Sequence, residues 1–232
     1  QRACKKHPSV TNVTIVTDSS LTETFNGYVA YDSATDRIIL AIAGTDPLKI
    51  KEWIDDLNFF KTAYPLCSTY GEEPCEVHEG FLAAYELAKL EVRETIASYM
   101  SLHPTASVTI TGHSLGGALA LLAALDLTLT QGIEITNMHT FGQPRVGDDA
   151  FAKFAMKTIE EYRVTHYHDP VPHLPTQNLF HTDWAHPSTE VFYRRDSAGD
   201  HTICDGSGED PNCSDQFYLD ANLLDHLDYV GF

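Results

Sequence analysis

A chain of 232 residues, 43% hydrophobic and 21% charged, can bury a substantial core, and its length fits a single domain over residues 1–232. Its 15 Lys and Arg against 33 Asp and Glu leave a formal charge of −18, which repels polyphosphates and strongly anionic membranes and so argues against nucleic-acid partners. The acidity selects no substrate, because it is also the ordinary mark of a well-solvated surface.

In chain order, residues 28–31 and 37–43 are β-rich runs around a polar turn and read as a hairpin. Asp46 is expected to cap a short helix that starts at Pro47 and ends near Leu57, with an apolar stripe of Ile50, Trp53, Ile54 and Leu57. Lys49 and Lys51 near its start and Asp55 and Asp56 near its end oppose the helix dipole, so this helix is expected to be marginal on its own. Phe81, Tyr85, Ala88, Val92, Ile96 and Tyr99 then recur at spacings of three or four, a helical stripe that stops before Pro104.

Residues 107–111 form a short β-branched run, followed at once by a glycine-bearing turn at 112–117 and an Ala- and Leu-rich helix at 118–129. A strand at 133–141, a helix at 148–160 and a strand at 162–166 follow, while beyond Pro170 only 190–193 reads as a strand. This order predicts an α/β fold with a central, mostly parallel sheet flanked by helices. The 118–129 run carries Asp126 and is too short to cross a bilayer, and the first six residues lack an apolar leader core, so a soluble, already processed chain is expected.

Cys67 with Cys75 and Cys204 with Cys213 are close pairs that could each close a small loop, which points to an oxidising compartment and secretion. Neither pair has the spacing of a zinc or redox site, and Cys4 has no local partner. Asn12 and Asn212 head formal glycosylation sequons.

Gly112-His113-Ser114-Leu115-Gly116 fits the G-x-S-x-G nucleophile elbow, in which a strand turns sharply into a helix and exposes a strained serine. The pattern alone is weak, but here a β-run precedes it and an Ala/Leu helix follows it. Ser114 is therefore the expected nucleophile, and the α/β-hydrolase fold the expected architecture. A seryl hydroxyl needs a base, usually a histidine oriented by a buried carboxylate, and in this fold the acid and then the histidine follow the serine in the chain. Asp169, just after the 162–166 strand, and His226, near the C-terminus, are the candidates, with other histidines still competing for the role of base.

Six ordered segments resemble the class 3 lipase family, the fungal lipase-like group that also contains feruloyl esterases. They are Ala43-Gly44-Thr45, Val77-His78-Glu79-Gly80-Phe81, residues 111–117, residues 140–147, residues 168–175 and Asp225-His226-Leu227-Asp228-Tyr229. The resemblance implies Asp169 as the triad acid, His226 as the base, and an oxyanion hole from Thr45 and the backbone of Leu115. It also implies that the helix after Thr45 is a lid, presenting Leu48, Ile50, Trp53, Ile54 and Leu57, and that Cys67–Cys75 and Cys204–Cys213 are bridges. This chain has Ala43 where family members usually carry arginine, which puts a local salt bridge or the lid hinge in doubt.

The expected function is a secreted, monomeric triacylglycerol lipase acting through an acyl-enzyme at a lipid–water interface, without cofactor or metal. A feruloyl esterase or phospholipase A1-type esterase is the nearer alternative, and a catalytically inactive lipid-binding protein on the same fold the more distant one. A histidine-rich stretch, His166, His168, His173, His181 and His186 with Asp169 and Asp183, raises a metal site as a rival, although no H-E-x-x-H pattern accompanies it.

Overall fold

The computed structural model describes residues 7–17, 25–177, 183–194, 200–217 and 221–229. Cys4 and His181 lie outside these residues. The N-terminal half builds one edge of the main sheet: β1 (Val10–Thr17), β2 (Asn26–Asp32) and β3 (Arg37–Ile42) form an antiparallel meander. The β2–β3 hairpin is where the turn chemistry at 32–36 places it. The register of β1 shifts between Thr11 and Thr14, and Asn12 sits there, exposed, at φ 52.

α1 (Ile50–Asp56), β4 (Lys61–Ala63), α2 (Pro65–Tyr70) and β5 (Glu76–His78) lead into the long helix α3 (Glu79–Leu102). The predicted stripe is the buried face of α3, and its first turn is capped by the His78 ring, which accepts from the Gly80 and Phe81 amides. β6 (Ser107–His113) runs directly into α4 (Leu115–Gln131), buried along nearly its whole length and ended by Gly132 in the left-handed region. A helix so deep still carries Asp126, which takes two hydrogen bonds from Arg93 and one from Tyr85 and so ties α4 to α3.

β7 (Ile135–Phe141), β8 (Gly147–Asp148), α5 (Asp149–Thr158), β9 (Glu161–His166), β10 (Trp184–Ala185), β11 (Glu190–Tyr193), β12 (His201–Ile203) and α6 (Leu223–His226) complete the chain. The large sheet has the order β1-β2-β3-β6-β7-β9-β11-β12, with β3, β6, β7, β9 and β11 parallel and the edges antiparallel. A smaller sheet, β10-β8-β5-β4, stands beside it. This is the mostly parallel, helix-flanked architecture expected for an α/β-hydrolase. Leu40, Ile110 and Met138, side by side in register on β3, β6 and β7, pack with α3 and α4 in one buried core.

Cys67–Cys75 and Cys204–Cys213 are both bonded. Among the described residues no helix is long and apolar enough to cross a membrane.

The segment expected to form a lid departs from expectation at its start. The helix begins at Ile50, not Pro47, and its N-cap position is Lys49, without a side-chain cap. Asp46 instead folds back on its own backbone: its carboxylate accepts from the Leu48 amide at 2.9 Å and its carbonyl from the Lys49 amide at 2.8 Å. This local turn competes with the first helical turn and wins. Leu48 consequently stands outside the helix, 90% exposed, while Ile50 is buried and Trp53, Ile54 and Leu57 are half-buried. Lys51 and Asp55 pair at 2.7 Å one turn apart, a contact that offsets part of the unfavourable dipole.

Candidate active site

The loop between β6 and α4 holds Ser114 at φ 58 and ψ −131, a conformation that an L residue adopts only when its surroundings impose it. Its amide donates to the Phe141 carbonyl at 2.8 Å, which ties the turn to the end of β7. Close approach explains the motif's glycines. A Cβ on Gly112 would lie 2.2 Å from the Gly116 carbonyl oxygen, and one on Gly116 would lie 2.3 Å from that of Ile42.

Asp169 lies in the turn after β9 and accepts three donors: the Val171 amide at 2.8 Å, the Tyr229 hydroxyl at 2.5 Å and His226 Nδ1 at 2.8 Å. Because a carboxylate accepts, Nδ1 carries the proton, and the lone pair of a neutral His226 ring is left on Nε2. His226 closes α6, which is capped by the Asn222 side chain and anchored through the Asn222 amide to the His168 carbonyl at 2.8 Å.

Three aromatic residues outside the expected triad and oxyanion hole, His113, His166 and Tyr229, hold this histidine in place. His113 Nε2 donates to the His226 carbonyl at 2.8 Å, and the two rings lie 4.5 Å apart. Burial, then the neighbouring His226, pushes the His113 pKa down to about 4, so it remains a neutral donor at ordinary pH. His166 Nδ1 lies 2.9 Å from the Asp225 carbonyl, and burial with the adjacent Asp169 keeps Tyr229 protonated far above the usual phenol range. In the sequence, Tyr229 stands out only as the last residue of the family-like segment 225–229.

The structure thus joins Asp169 to His226 and lays Gly142 against both; the preceding residue, Phe141, is the one that binds the Ser114 amide. Ser114 Oγ and His226 Nε2 are buried, and neither has a hydrogen-bond partner among the described residues. The link between serine and imidazole is therefore open in this form.

Thr45 and Leu115 face a common cavity of about 610 Å³ that lies beneath α1, with Trp53, Leu57 and Phe81 also in its wall. Thr45 Oγ1 is buried without a partner, and Leu115 opens α4, where backbone N–H groups have no intrahelical acceptor. Two donors of this kind at a helix N-terminus can stabilise an oxyanion. Trp53 stacks on Phe81 with ring centroids 6.5 Å apart, so the apolar side of α1 is folded down over the cavity. Ala43, in the place of the family's usual arginine, donates its amide to Asn26 and carries no side chain for an ion pair.

The histidine-rich stretch is divided among separate structural contacts: the His166 ring and the His168 backbone amide hold α6 through Asp225, and His186 Nε2 donates to the Pro172 carbonyl at 2.8 Å. Among the described residues the one grouping of metal-ligand type is Glu190 with Cys204 and Cys213, whose two sulfurs are already bonded to each other. Of the sequon residues, Asn212 is exposed but followed by the disulfide-bonded Cys213 and the buried Ser214.

The family described as "Lipase (class 3)" matches residues 39–179. A lipase of Rhizomucor miehei is 36% identical over 221 residues, covering 94% of this chain and 58% of that protein. Secreted mono- and diacylglycerol lipase 1 of Fusarium solani is 39% identical over 149 residues, 64% of this chain and 42% of that one. The chain thus spans about half the length of these relatives. The solved structure of the Rhizomucor miehei triacylglyceride lipase superposes with a TM-score of 0.83 at 32% identity, covering 97% of this chain and 82% of that one. Sequence, fold and the geometry around Ser114 agree, and the chain belongs to the class 3 lipase family.

Proposed function

We propose that this protein is a secreted triacylglycerol lipase that works through Ser114, His226 and Asp169. The observation that carries the reading is the conjunction of a strained serine at a strand–helix turn with a buried imidazole, bound by Asp169, whose Nε2 is unengaged. Ser114 attacks the ester carbonyl as His226 Nε2 takes its proton; the Thr45 and Leu115 donors hold the tetrahedral oxyanion; His226 returns the proton to the leaving alcohol; water then frees the acid. The open serine–imidazole link tightens in the substrate complex, as catalytic hydrogen bonds commonly do.

α1 is the lid. Its half-buried Trp53 and the adjoining Leu57 cover the cavity in water and exchange this shelter for lipid at an interface, which favours a lipase over the feruloyl esterase alternative. Similarity to a secreted mono- and diacylglycerol lipase and to a triacylglyceride lipase, together with two disulfides, supports an extracellular acylglycerol hydrolase. Ser114→Ala is expected to lower turnover of a nitrophenyl ester by several orders of magnitude. Full activity in that variant refutes Ser114 as the nucleophile, whereas absence of ester hydrolysis by the unaltered protein leaves a lipid-binding protein. Emulsified triacylglycerol, phospholipid and methyl ferulate compared side by side test the substrate class, and for the lid a steep rise in rate once a short-chain ester exceeds its solubility is expected.

A further inference from the structure

The carbonyls of Pro172, His173, Leu174 and Pro175, four in succession along the chain that leaves Asp169, are each held by a donor from elsewhere in the fold. His186 Nε2 donates to Pro172 at 2.8 Å, Arg145 Nη1 to His173 at 2.7 Å and to Pro175 at 3.0 Å, and the Arg145 amide to Leu174 at 2.7 Å. Between Asp169 and these carbonyls the chain has little freedom. The Val171 amide donates to Asp169 Oδ1, the His173 amide to the Pro170 carbonyl and the Leu174 amide to that of Val171, closing a 3₁₀ turn at Val171–His173. The place of the Asp169 carboxylate is thus tied to Arg145 through one short, internally bonded stretch. Arg145 also stands three residues after Gly142, which lies against both Asp169 and His226.

Arg145 is buried, and a guanidinium out of water needs a carboxylate that matches its fork. Glu209 supplies it through two parallel bonds, Nε to Oε1 at 2.8 Å and Nη2 to Oε2 at 2.6 Å, while Asp215 stands further off at 3.8 Å. Glu209 Oε1 also accepts from the His186 amide at 2.9 Å, so one carboxylate engages both residues that hold the 172–175 carbonyls. Glu209 belongs to the loop closed by Cys204–Cys213. Between the cysteines stand two glycines, a proline and five polar or acidic residues, which build no core of their own, so the bridge narrows the range of conformations the loop can take. Gly208, at φ 85, brings the loop against the neighbouring chain: a Cβ there would lie 2.3 Å from the His186 carbonyl oxygen, and its own carbonyl accepts from Arg163 Nη2 at 2.9 Å.

We propose that Glu209, presented by the disulfide-closed loop, is a positioning residue for the hydrolytic site: it fixes Arg145, and through Arg145 and His186 the 172–175 segment, so that Asp169 keeps its grip on His226. The Cys204–Cys213 bridge, which touches no reacting atom, thereby contributes to turnover as well as to stability. The proposal rests on the ester-hydrolase reading.

Position and stability are separable by experiment. Turnover of a soluble ester is measured well below Tm and expressed per site titrated with a nitrophenyl phosphonate, so that unfolded molecules are not counted. Glu209→Ala is expected to lower kcat about tenfold to a hundredfold, the scale of a displacement of about 1 Å at a catalytic group, with KM changed less than about twofold. Glu209→Gln keeps the side chain's length and one acceptor oxygen, so it should retain part of the lost rate, and it is the variant to read should Glu209→Ala not fold. The proton between His226 Nδ1 and Asp169 gives a readout independent of turnover. Its far-downfield 1H NMR resonance, identified by its loss in His226→Gln, should shift or broaden in both Glu209 variants. Arg93→Ala, whose ion pair ties α3 to α4 and touches neither segment, is the control for lost stability and should leave kcat and the resonance in place. The double variant Cys204→Ala/Cys213→Ala should reproduce the kcat loss, and adding Glu209→Ala to it should cost little more, because both act through one contact.

Unchanged kcat per site, or an unmoved resonance, in Glu209→Ala overturns the proposal, as does an equal loss in Arg93→Ala. Losses that multiply in the combined variant overturn the part assigned to the bridge. Should the unaltered protein cleave no ester, the ester-hydrolase reading itself has failed; the resonance then still reports whether Glu209 fixes Asp169 against His226.

Discussion

Gly142→Ala tests whether the Asp169–His226 pair is held as tightly as its contacts imply. Gly142 has φ 55, and a Cβ built on it would lie 2.8 Å from Asp169 Oδ2, 2.9 Å from His226 Nδ1 and 3.0 Å from His226 Cε1. Ordinary contact begins at 3.4 Å, so both side chains would have to retreat by roughly half an ångström. Neither has easy room: Asp169 is bound by three donors, and the His226 ring faces His113. Placing an L side chain in the left-handed region costs about 1–2 kcal/mol, and overpacking about 1–3 kcal/mol more. For a chain of this size each kcal/mol moves Tm by about 2–4 °C, so a fall of the order of 10 °C is expected.

Activity should suffer beyond stability, because a displacement of about 1 Å in a catalytic constellation can cost roughly a hundredfold. A drop of about tenfold to a hundredfold in kcat, measured on a soluble ester well below Tm, is expected. Gly132→Ala is the control: its φ is 67, but a Cβ there meets nothing within 4 Å, so it bears only the backbone cost of about 1 kcal/mol and full activity. Wild-type kcat in Gly142→Ala, or an equal loss in Gly132→Ala, would refute the reasoning.

Three further outcomes follow from single contacts. Tyr229→Phe removes the 2.5 Å donor to Asp169; a loss of about 1.5–3 kcal/mol in urea unfolding is expected, with kcat falling more than KM changes, and an unaltered protein would show that the hydroxyl is idle. Arg93→Ala strands the Asp126 carboxylate between α3 and α4, so a loss of about 3–5 kcal/mol is expected with kcat little changed; a loss under about 1 kcal/mol contradicts the buried-pair account. Burial, opposed by Arg163 and Thr140, raises the Glu161 carboxyl from 4.5 to about 7. In that window the folded protein keeps a proton that the unfolded chain has released, so stability is greatest below the lower value and declines as pH rises to the upper one. The decline is on the order of 3 kcal/mol. Glu161→Gln should flatten Tm against pH across it, and an unchanged slope assigns the titration elsewhere.

Much of the site was legible because its signals are local. The strand, turn and helix around Ser114 are encoded within about two dozen residues, and the glycines of the elbow answer to contacts made within the same turn or with the adjacent strand. The α3 stripe and the Asp148 cap of α5, whose carboxylate accepts from the Phe151 amide, reflect interactions three or four residues apart. The start of α1 was misread for a related reason. Asp46 can cap a helix or close a turn on Leu48, and both choices satisfy the same local chemistry.

What the amino-acid order determined by itself was the alternation of strand and helix, the nucleophile elbow and, through resemblance, which distant acid and histidine to pair with it. Only the tertiary structure decided that His113, His166 and Tyr229 clamp the His226 segment, that β4, β5, β8 and β10, each two or three residues long, assemble a second sheet, and that Thr45 and Leu115 come to face one cavity beneath α1. The reason is range: a strand of two residues or a tether between positions 113 and 226 has no periodicity to read, and it exists only because the packed core brings remote backbone groups within hydrogen-bonding distance.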